Sequence, residues 1–238
     1  MTDPAWTPLR RLTAARIGLS RSGASVATGP LLAFRLAHAQ ARDAVHHALG
    51  EVPGTEGLGL TVLTVRSRAP DRRTYLLRPD LGRQLALDAA LPAGSHDLAV
   101  VVADGLSAAA AERHAVPLLR ALLPLLQGWS VAPLVVAHGA RVKLGDAVAA
   151  GLGAAAVLVL IGERPGLSAP DSLGAYLTWA PGAGTTDADR NCVSNIRPDG
   201  LPYAEAARVL AFLLGRMKAL RQSGVALKDE SGRAALPG

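Results

Sequence analysis

Two charged residues, Glu163 and Arg164, directly follow the longest uninterrupted apolar run in the sequence. The run covers residues 154–161 and is closed by Gly162, a pattern typical of a strand that is buried on both faces of a sheet. Ligands of open parallel sheets bind beyond the carboxyl ends of the strands. The turn that carries Glu163 and Arg164 is therefore predicted to border a binding crevice.

A second concentration of polar side chains lies at residues 181–200, which we interpret as a long irregular loop. Its charged, amide, hydroxyl and thiol groups are Asp187, Asp189, Arg190, Asn191, Cys192, Ser194, Asn195 and Arg197. A loop of this length inside a compact domain is usually functional or disordered. The mixed composition, without low complexity, favours a functional segment.

No motif in the sequence predicts nucleophilic or metal catalysis. Neither a P-loop nor a Gly-x-Ser-x-Gly elbow occurs. Asp104, Ser107 and His114 have the residue types of a triad, but Ser107 is placed to cap a helix and His114 lies two helical turns further on. Cys192 has no histidine close by, and one cysteine with scattered histidines makes a zinc site improbable. We predict no catalytic residue and no metal ligand in this chain.

From residue 97 onward, strand and helix patterns alternate, which predicts an α/β fold with a parallel sheet. One helix is expected to begin at Ala108, to bend at Pro117 and to end near Gly128. Residues 151–156 nearly match the glycine fingerprint of dinucleotide-binding folds, but they precede a strand, whereas the dinucleotide-binding turn follows one. We therefore interpret them as a helix-to-strand connection. Strands are expected at residues 60–65, 97–103, 131–137, 154–161 and 174–179.

The amino-terminal part predicts a small helical domain in front of the α/β domain. A helix is expected over residues 31–49, opened by Pro30 and closed by Gly50. Residues 50–57, rich in Gly, Pro and Glu, suit a domain boundary. The expected organisation is a flexible amino terminus at 1–8, a small helical domain at 9–56, an α/β domain at 57–228 and a flexible tail at 229–238.

Composition narrows the classes of partner. The net charge is +6, but the basic residues are scattered and aromatic residues make up only 3%, which argues against nucleic-acid binding. No apolar stretch is long enough to cross a bilayer, and the first residues lack the apolar core of a signal peptide. The single cysteine excludes an intrachain disulfide and suits a reducing compartment. We therefore predict a cytoplasmic protein that contacts neither a membrane nor nucleic acid.

These features together predict a binding scaffold. Three strand-end turns and part of the long polar segment are expected to line one crevice, at residues 104–107, 138–143, 162–168 and 185–197. Backbone amides, carbonyls and a few charges in such a crevice suit a large ligand with many amide and hydroxyl groups.

Several stretches of the sequence resemble the small (light) subunit of ethanolamine ammonia-lyase. The resemblance covers residues 9–228. It is specific, because several long and unrelated sequence motifs of that family occur here in the same order. These motifs are RPDLGR at 78–83, DGLS at 104–107, GERPGLS at 162–168, DSL at 171–173, RNCVSNIR at 190–197 and SGV at 223–225.

The resemblance implies an adenosylcobalamin-dependent enzyme that converts ethanolamine to acetaldehyde and ammonia. In that family the large subunit, a TIM barrel, binds the substrate, and homolysis of the cobalt–carbon bond gives the radical that takes hydrogen from it. The small subunit has a Rossmann-like domain behind a small helical one and closes over the cofactor at the subunit interface. Its cobalamin contacts correspond to Val142, Glu163 and Cys192. The expected location is the cytoplasm, with the inside of a bacterial microcompartment as an alternative.

The sequence departs from the family pattern at one point. The usual Gly-Arg-Val is Ala140-Arg141-Val142 here, with a glycine one place earlier, at Gly139. The motif Asp-x-His-x-x-Gly, whose histidine would bind the lower face of cobalt, does not occur in the sequence. Its absence fits the base-on binding that the resemblance implies, in which the cofactor's own base binds the cobalt. Two alternative functions stay open from the residues alone: a stand-alone nucleotide-dependent α/β oxidoreductase and a basic nucleic-acid-binding module.

Overall fold

A computed structural model describes residues 4–13 and 15–231 of the chain. The expected flexible ends fall in part on residues 1–3 and 232–238, which lie outside the described residues. The helices are α1 (Thr7–Arg10), α2 (Thr28–His46), α3 (Arg72–Leu77), α4 (Pro79–Gly82), α5 (Ala108–Leu122), α6 (Leu144–Leu152) and α7 (Tyr203–Leu220). The strands are β1 (Arg21–Ser22), β2 (Ser25–Val26), β3 (Val62–Arg66), β4 (His96–Ala103), β5 (Leu134–His138), β6 (Ala154–Gly162), β7 (Leu173–Trp179) and β8 (Arg190–Ile196).

Six of the strands form one sheet in the order β3-β5-β4-β6-β7-β8. The first four are parallel, whereas β7 and β8 extend the sheet in antiparallel fashion. The predicted α/β fold, a largely parallel sheet flanked by helices, is confirmed. The antiparallel extension is a feature that the sequence pattern did not indicate.

The positions of the helices follow from right-handed crossovers between parallel strands. The chain passes from β4 through α5 to β5 on one side of β4, and then through α6 to β6 on its other side. Because the direction of travel reverses, α5 and α6 pack on opposite faces of the sheet. The strand order thus reverses between β4 and β6, which is where a crevice opens in sheets of this kind.

The apolar run of β6 is buried on both faces, as predicted. Leu158 and Leu160 pack with α5 and α7, whereas Val157 and Val159 pack with α6 on the other face. Burial of each of these side chains contributes about 1.5–3 kcal/mol to the free energy of folding. This central strand therefore fixes the position of the turn that follows it.

The interpretation of residues 181–200 as an irregular loop is wrong for its second half. Residues 190–196 form β8, which pairs with β7 at one edge of the sheet. Its buried positions are Arg190, Val193 and Ile196, three residues apart, because a register shift interrupts the pairing. The alternation that identifies a strand is therefore absent from the sequence.

Two details of α5 also differ from the expectation. The Ser107 side chain does not cap the helix; its Oγ donates to the Pro170 carbonyl at 3.0 Å and so ties the start of α5 to the loop between β6 and β7. The helix continues through Pro117 and ends at Leu122, and a 3₁₀ turn follows at Leu123–Leu125.

The amino-terminal part contains α1, the small β1–β2 ribbon and α2. The predicted helix is present as α2, but it ends at His46 and not at Leu49, so Gly50 does not close it. Arg72 Nε donates to the Val45 carbonyl near the end of α2 at 2.8 Å. Arg16 Nη2 donates to the Leu167 carbonyl at 3.1 Å, so this part reaches the turn after β6. The division into two domains near residue 56 stays a prediction. Within the described residues no helix is both long enough and apolar enough to span a bilayer.

Candidate functional site

A cavity of about 730 Å³ opens where the strand order reverses, beyond the carboxyl ends of β4 and β6. Three strand-end turns contribute to its lining, as do a helical turn and the loop before β8. The lining residues include Gly105, Leu106, Arg141, Val142, Lys143, Gly162, Glu163, Arg164, Tyr176 and Asp187. The predicted crevice is therefore present, and it is built largely by the predicted turns.

Two glycines allow the ends of β4 and β6 to approach each other closely. Gly105 has a φ of +54°, and Leu106 N donates to the Gly162 carbonyl at 2.9 Å. A Cβ atom at Gly162 would lie 1.9 Å from the Ser107 carbonyl oxygen. This close approach places Glu163, the next residue, directly at the cavity.

Glu163 is half-buried, and only one of its two carboxylate oxygens is bonded. Oε2 accepts hydrogen bonds from Ser172 Oγ at 2.7 Å and from Asn195 N at 3.2 Å. Asn195 lies at the register shift of β8 with a φ of +58°, a conformation that asparagine tolerates. Among the described residues, nothing donates to Oε1. The carboxylate is thus held in place with one oxygen available to a ligand.

Asp104 organises the turn that carries Val142. Its Oδ1 accepts from Ala140 N at 2.8 Å, and its Oδ2 accepts from Gly139 N at 3.0 Å and from Arg72 Nη1 at 3.2 Å. Burial raises the pKa of the Asp104 carboxyl, and the Ala140 amide and the Arg72 guanidinium act in the opposite direction. The carboxylate therefore joins the ends of β4 and β5 beneath the cavity.

The departure from Gly-Arg-Val is accommodated in this turn. Gly139 takes a φ of +62°, and a Cβ there would lie 3.0 Å from Ser67 Oγ, so glycine is required one place before the usual position. Ala140 is buried and its amide binds Asp104. Val142 lines the cavity and is partly buried.

Cys192 lies at the β8 border of the cavity and is exposed. Its cross-strand partner on β7 is Tyr176, whose side chain lines the cavity. Burial raises the pKa of the Tyr176 phenol, and the neighbouring Cys192 thiol raises it further, so the phenol stays protonated as a hydrogen-bond donor. Cys192 Sγ lies 3.3 Å from Ser194 Oγ.

The structure places two of the three predicted contact residues beyond the carboxyl ends of β5 and β6, whereas the third lies in the middle of β8. Val142 and Glu163 line the cavity itself, whereas Cys192 lies beside it, across from Tyr176. Tyr176 was missed because its role depends on its pairing with β8, which the sequence did not reveal.

A buried ion pair that sequence reasoning also missed holds β8 against α6. Arg190 donates through Nη1 and Nη2 to the two carboxylate oxygens of Asp146, at 2.8 and 2.7 Å, and Nη1 also donates to Thr178 Oγ1 at 2.8 Å. Lys143 Nζ donates to the carbonyls of Ala183 and Thr185, at 3.2 and 2.7 Å. These contacts fix the loop before β8 over the cavity.

The three residue types that could form a triad are engaged separately. Asp104 binds backbone amides, Ser107 binds a carbonyl in the β6–β7 loop, and the Nδ1 of His114 lies 2.8 Å from Tyr203 Oη. Within residues 4–13 and 15–231 no group of three or more His, Cys, Asp or Glu side chains is suited to hold a metal ion.

The glycine-rich connection ends a helix. Gly153 closes α6 with a φ of +65° and leads into β6, which confirms the predicted helix-to-strand connection. What remains is a cavity of hydrogen-bonding groups and charges, an arrangement suited to binding.

Comparison with known proteins shows the family of the chain. The family described as "Ethanolamine ammonia-lyase light chain (EutC)" matches residues 3–228. An ethanolamine ammonia-lyase small subunit of Azotobacter vinelandii is 52% identical over 250 residues, covering 100% of this chain and 93% of the relative. Those of Bradyrhizobium diazoefficiens and Pseudomonas aeruginosa are 56% and 49% identical, covering 97% and 98% of this chain and 95% and 90% of the relatives. The chain therefore belongs to the family of ethanolamine ammonia-lyase light chains.

Proposed function

We propose that this chain is the accessory subunit of an adenosylcobalamin-dependent ethanolamine ammonia-lyase and binds the cofactor at the cavity between β4 and β6. The observation that carries the proposal is the convergence of Val142 and Glu163 on one cavity of about 730 Å³, with Cys192 at its border. Ethanolamine binding and the reaction itself belong to a separate large subunit.

The residues present fit the chemistry of a corrinoid. Its ring carries amide side chains around the periphery, and the Glu163 Oε1 that no described residue bonds is suited to accept from an amide N–H. The Tyr176 phenol is suited to donate to an amide oxygen, and Val142 offers apolar surface. A hydrogen bond to a charged acceptor contributes about 1.5–3 kcal/mol. When bound, adenosylcobalamin supplies a cobalt–carbon bond that breaks homolytically.

The open side of the cavity is the argument for a partner. Arg164 and Cys192 are exposed at the rim, whereas ligand sites bury most of their ligand. A ligand of this size therefore needs a second chain to close the site. The large subunit that the family's name, light chain, implies fills that role, and this chain's residues orient the cofactor and exclude water from one side of it.

Purification of the chain with its large subunit, followed by titration with adenosylcobalamin in the visible spectrum, tests the proposal. We expect Glu163→Ala to weaken cofactor binding about tenfold to a hundredfold, because one charge-assisted hydrogen bond is lost. Glu205→Ala on α7, which packs on the opposite face, is the matched control and should bind like the wild type. Full activity of the reconstituted complex without cobalamin would refute the proposal.

Residence inside a bacterial microcompartment stays a prediction. A fluorescent fusion of this chain should form puncta only in cells that make shell proteins, and a diffuse signal in such cells would contradict it.

A further inference from the structure

Three arginines on the cavity lining have no ionic partner. Arg83, Arg141 and Arg164 all line the cavity, and in the described part of the chain no carboxylate forms an ion pair with any of them. Arg72 and Arg190, which lie nearby, each have a carboxylate partner. Like charges at one rim repel each other, so this arrangement is stabilised when an anion binds between them.

Arg141 is the most constrained of the three. Its guanidinium lies 4.4 Å from the centre of the Tyr75 ring, and the buried Tyr75 donates through its phenol to the Ala140 carbonyl at 3.2 Å. The Arg141 Nε is buried, and no described residue accepts from it. The charge is thus partly removed from water and held in one orientation, which lowers the entropy cost of binding a ligand.

The other two arginines flank Arg141 on separate segments. Arg141 N donates to the Gly82 carbonyl at 2.8 Å, which places the next residue, Arg83, beside it. Arg164 follows Glu163 in the turn after β6. Both side chains are exposed, so they attract an anion from a distance and offer further hydrogen-bond donors on either side of the fixed Arg141 guanidinium.

We propose that Arg83, Arg141 and Arg164 form an anion subsite that takes a phosphodiester. The subsite rests on the proposed function, because adenosylcobalamin carries one phosphodiester, in the loop that links its corrin ring to its base. Guanidinium groups match phosphate oxygens in charge and in planar geometry. A free phosphate offers the same chemistry, so the experiment separates the two sources.

The test compares three corrinoids on the complex of this chain with its large subunit. Adenosylcobalamin has the phosphodiester, adenosylcobinamide phosphate keeps a phosphate without the base, and adenosylcobinamide has neither. We expect Arg141→Gln to weaken binding of the two phosphate-containing ligands about tenfold to a hundredfold and to leave adenosylcobinamide within about twofold of wild type. Dissociation constants come from visible-spectrum titration, so activity is not needed.

A second variant protects the test against a folding defect. Arg164→Gln changes an exposed side chain that forms no hydrogen bond or ion pair with the part of the chain that the structure describes, and we expect a loss of about two- to fivefold for the phosphate-containing ligands alone. Arg216→Gln, an exposed arginine on α7 at the opposite face, is the matched control and should bind all three ligands like wild type. Thermal unfolding of each complex checks its folding.

The outcomes separate the subsite from the wider proposal. Equal losses for all three ligands, or no loss in either variant, would overturn the subsite while leaving corrinoid binding intact. Failure of the wild-type complex to bind any corrinoid would overturn the proposed function and the subsite with it. Millimolar inorganic phosphate that protects the complex without competing against adenosylcobalamin would identify a free phosphate as the ligand and overturn the cofactor assignment.

Discussion

Charged residues around the cavity fall into two sets that differ in their pairing. Arg190 and Asp146 are paired through two hydrogen bonds, with side chains only 2% and 6% exposed, and Arg72 pairs with Asp104 in a similar buried setting. The cavity lining instead carries Glu163 with one oxygen that no described residue bonds, together with arginines that lack a carboxylate partner. The paired set joins secondary-structure elements, whereas the unpaired set faces open space.

The difference indicates that the paired set stabilises the fold and that the unpaired set is available for binding. A buried pair is costly to break, because the remaining charge is stranded in a poorly solvated place. A partly solvated single charge costs less to keep and retains its capacity to bind a ligand. Substitutions in the paired set should therefore change stability, and substitutions in the unpaired set should change binding.

The largest expected effect is on the paired set. Arg190→Met should lower the free energy of unfolding by about 3–5 kcal/mol, because the buried Asp146 loses both hydrogen bonds from the guanidinium and keeps only Lys143, 3.8 Å away, as a charged neighbour. The double variant Asp146→Leu, Arg190→Met should recover a substantial part of the loss. Urea unfolding followed by circular dichroism measures both. A single variant as stable as wild type would remove the distinction between the two sets.

The next effect is expected where the ends of β4 and β6 touch, at Gly162. Gly162→Ala should destabilise the chain by about 1–3 kcal/mol, because the new Cβ would press on the Ser107 carbonyl. Gly166→Ala in the same turn is the control, since its nearest neighbour would be a carbonyl oxygen 3.7 Å away. Thermal unfolding distinguishes the two, and equal melting temperatures would show that the close approach is not required.

His114 is an intermediate case, because it is buried with only one ring nitrogen bonded. Nδ1 contacts Tyr203 Oη, whereas Nε2 finds no hydrogen-bond partner among the described residues. Burial lowers the pKa of His114, and the nearby Asp171 opposes this. The unfolded chain therefore binds more protons than the folded chain as the pH falls through about 6.5 towards the lowered value, so stability is lost in that window.

The measurement is urea unfolding at pH 7 and at pH 5. Stability should fall between these values by no more than about 1.4 kcal/mol for each unit by which the pKa is lowered. His114→Gln should reduce the pH dependence, and His38→Gln on the exposed face of α2 should leave it unchanged. An identical slope in all three proteins would exclude His114 as its source.

The smallest effect is expected at an exposed pair. Arg113 Nη1 lies 2.9 Å from Asp171 Oδ2, with the arginine side chain 65% exposed. Arg113→Gln should change the free energy of unfolding by less than about 1 kcal/mol, because water and salt screen such a pair. A loss as large as that of Arg190→Met would show that pairing, and not burial, decides the cost.

The central parallel strands could be predicted because their residues carry the signal locally. The run at 154–161 is apolar throughout, and the turn after it holds the glycines and charges that a strand end needs. Gly153 closes a helix at the predicted place for the same reason. The position of the cavity followed from the rule that crevices open beyond strand ends, without knowledge of any contact.

The remaining parts depend on partners distant in the sequence. Arg190 reads as a loop residue until Asp146, 44 positions earlier, is brought beside it. Ser107 has the residue type of a helix cap, but the Pro170 carbonyl takes its hydroxyl. Tyr176 and Cys192 become neighbours only through the antiparallel pairing of β7 with β8. No local pattern records such pairings.

The change from parallel to antiparallel pairing after β6 has a consequence for how this site varies. An antiparallel neighbour is reached by a short return loop, so no crossover helix follows β6 onto the face that carries Tyr176 and Cys192. Cys192 is therefore left exposed, although Arg190 on the same strand is held by Asp146 of α6. An exposed side chain such as Cys192 can therefore be exchanged without disturbing the aliphatic core, which would let the proposed binding site change shape.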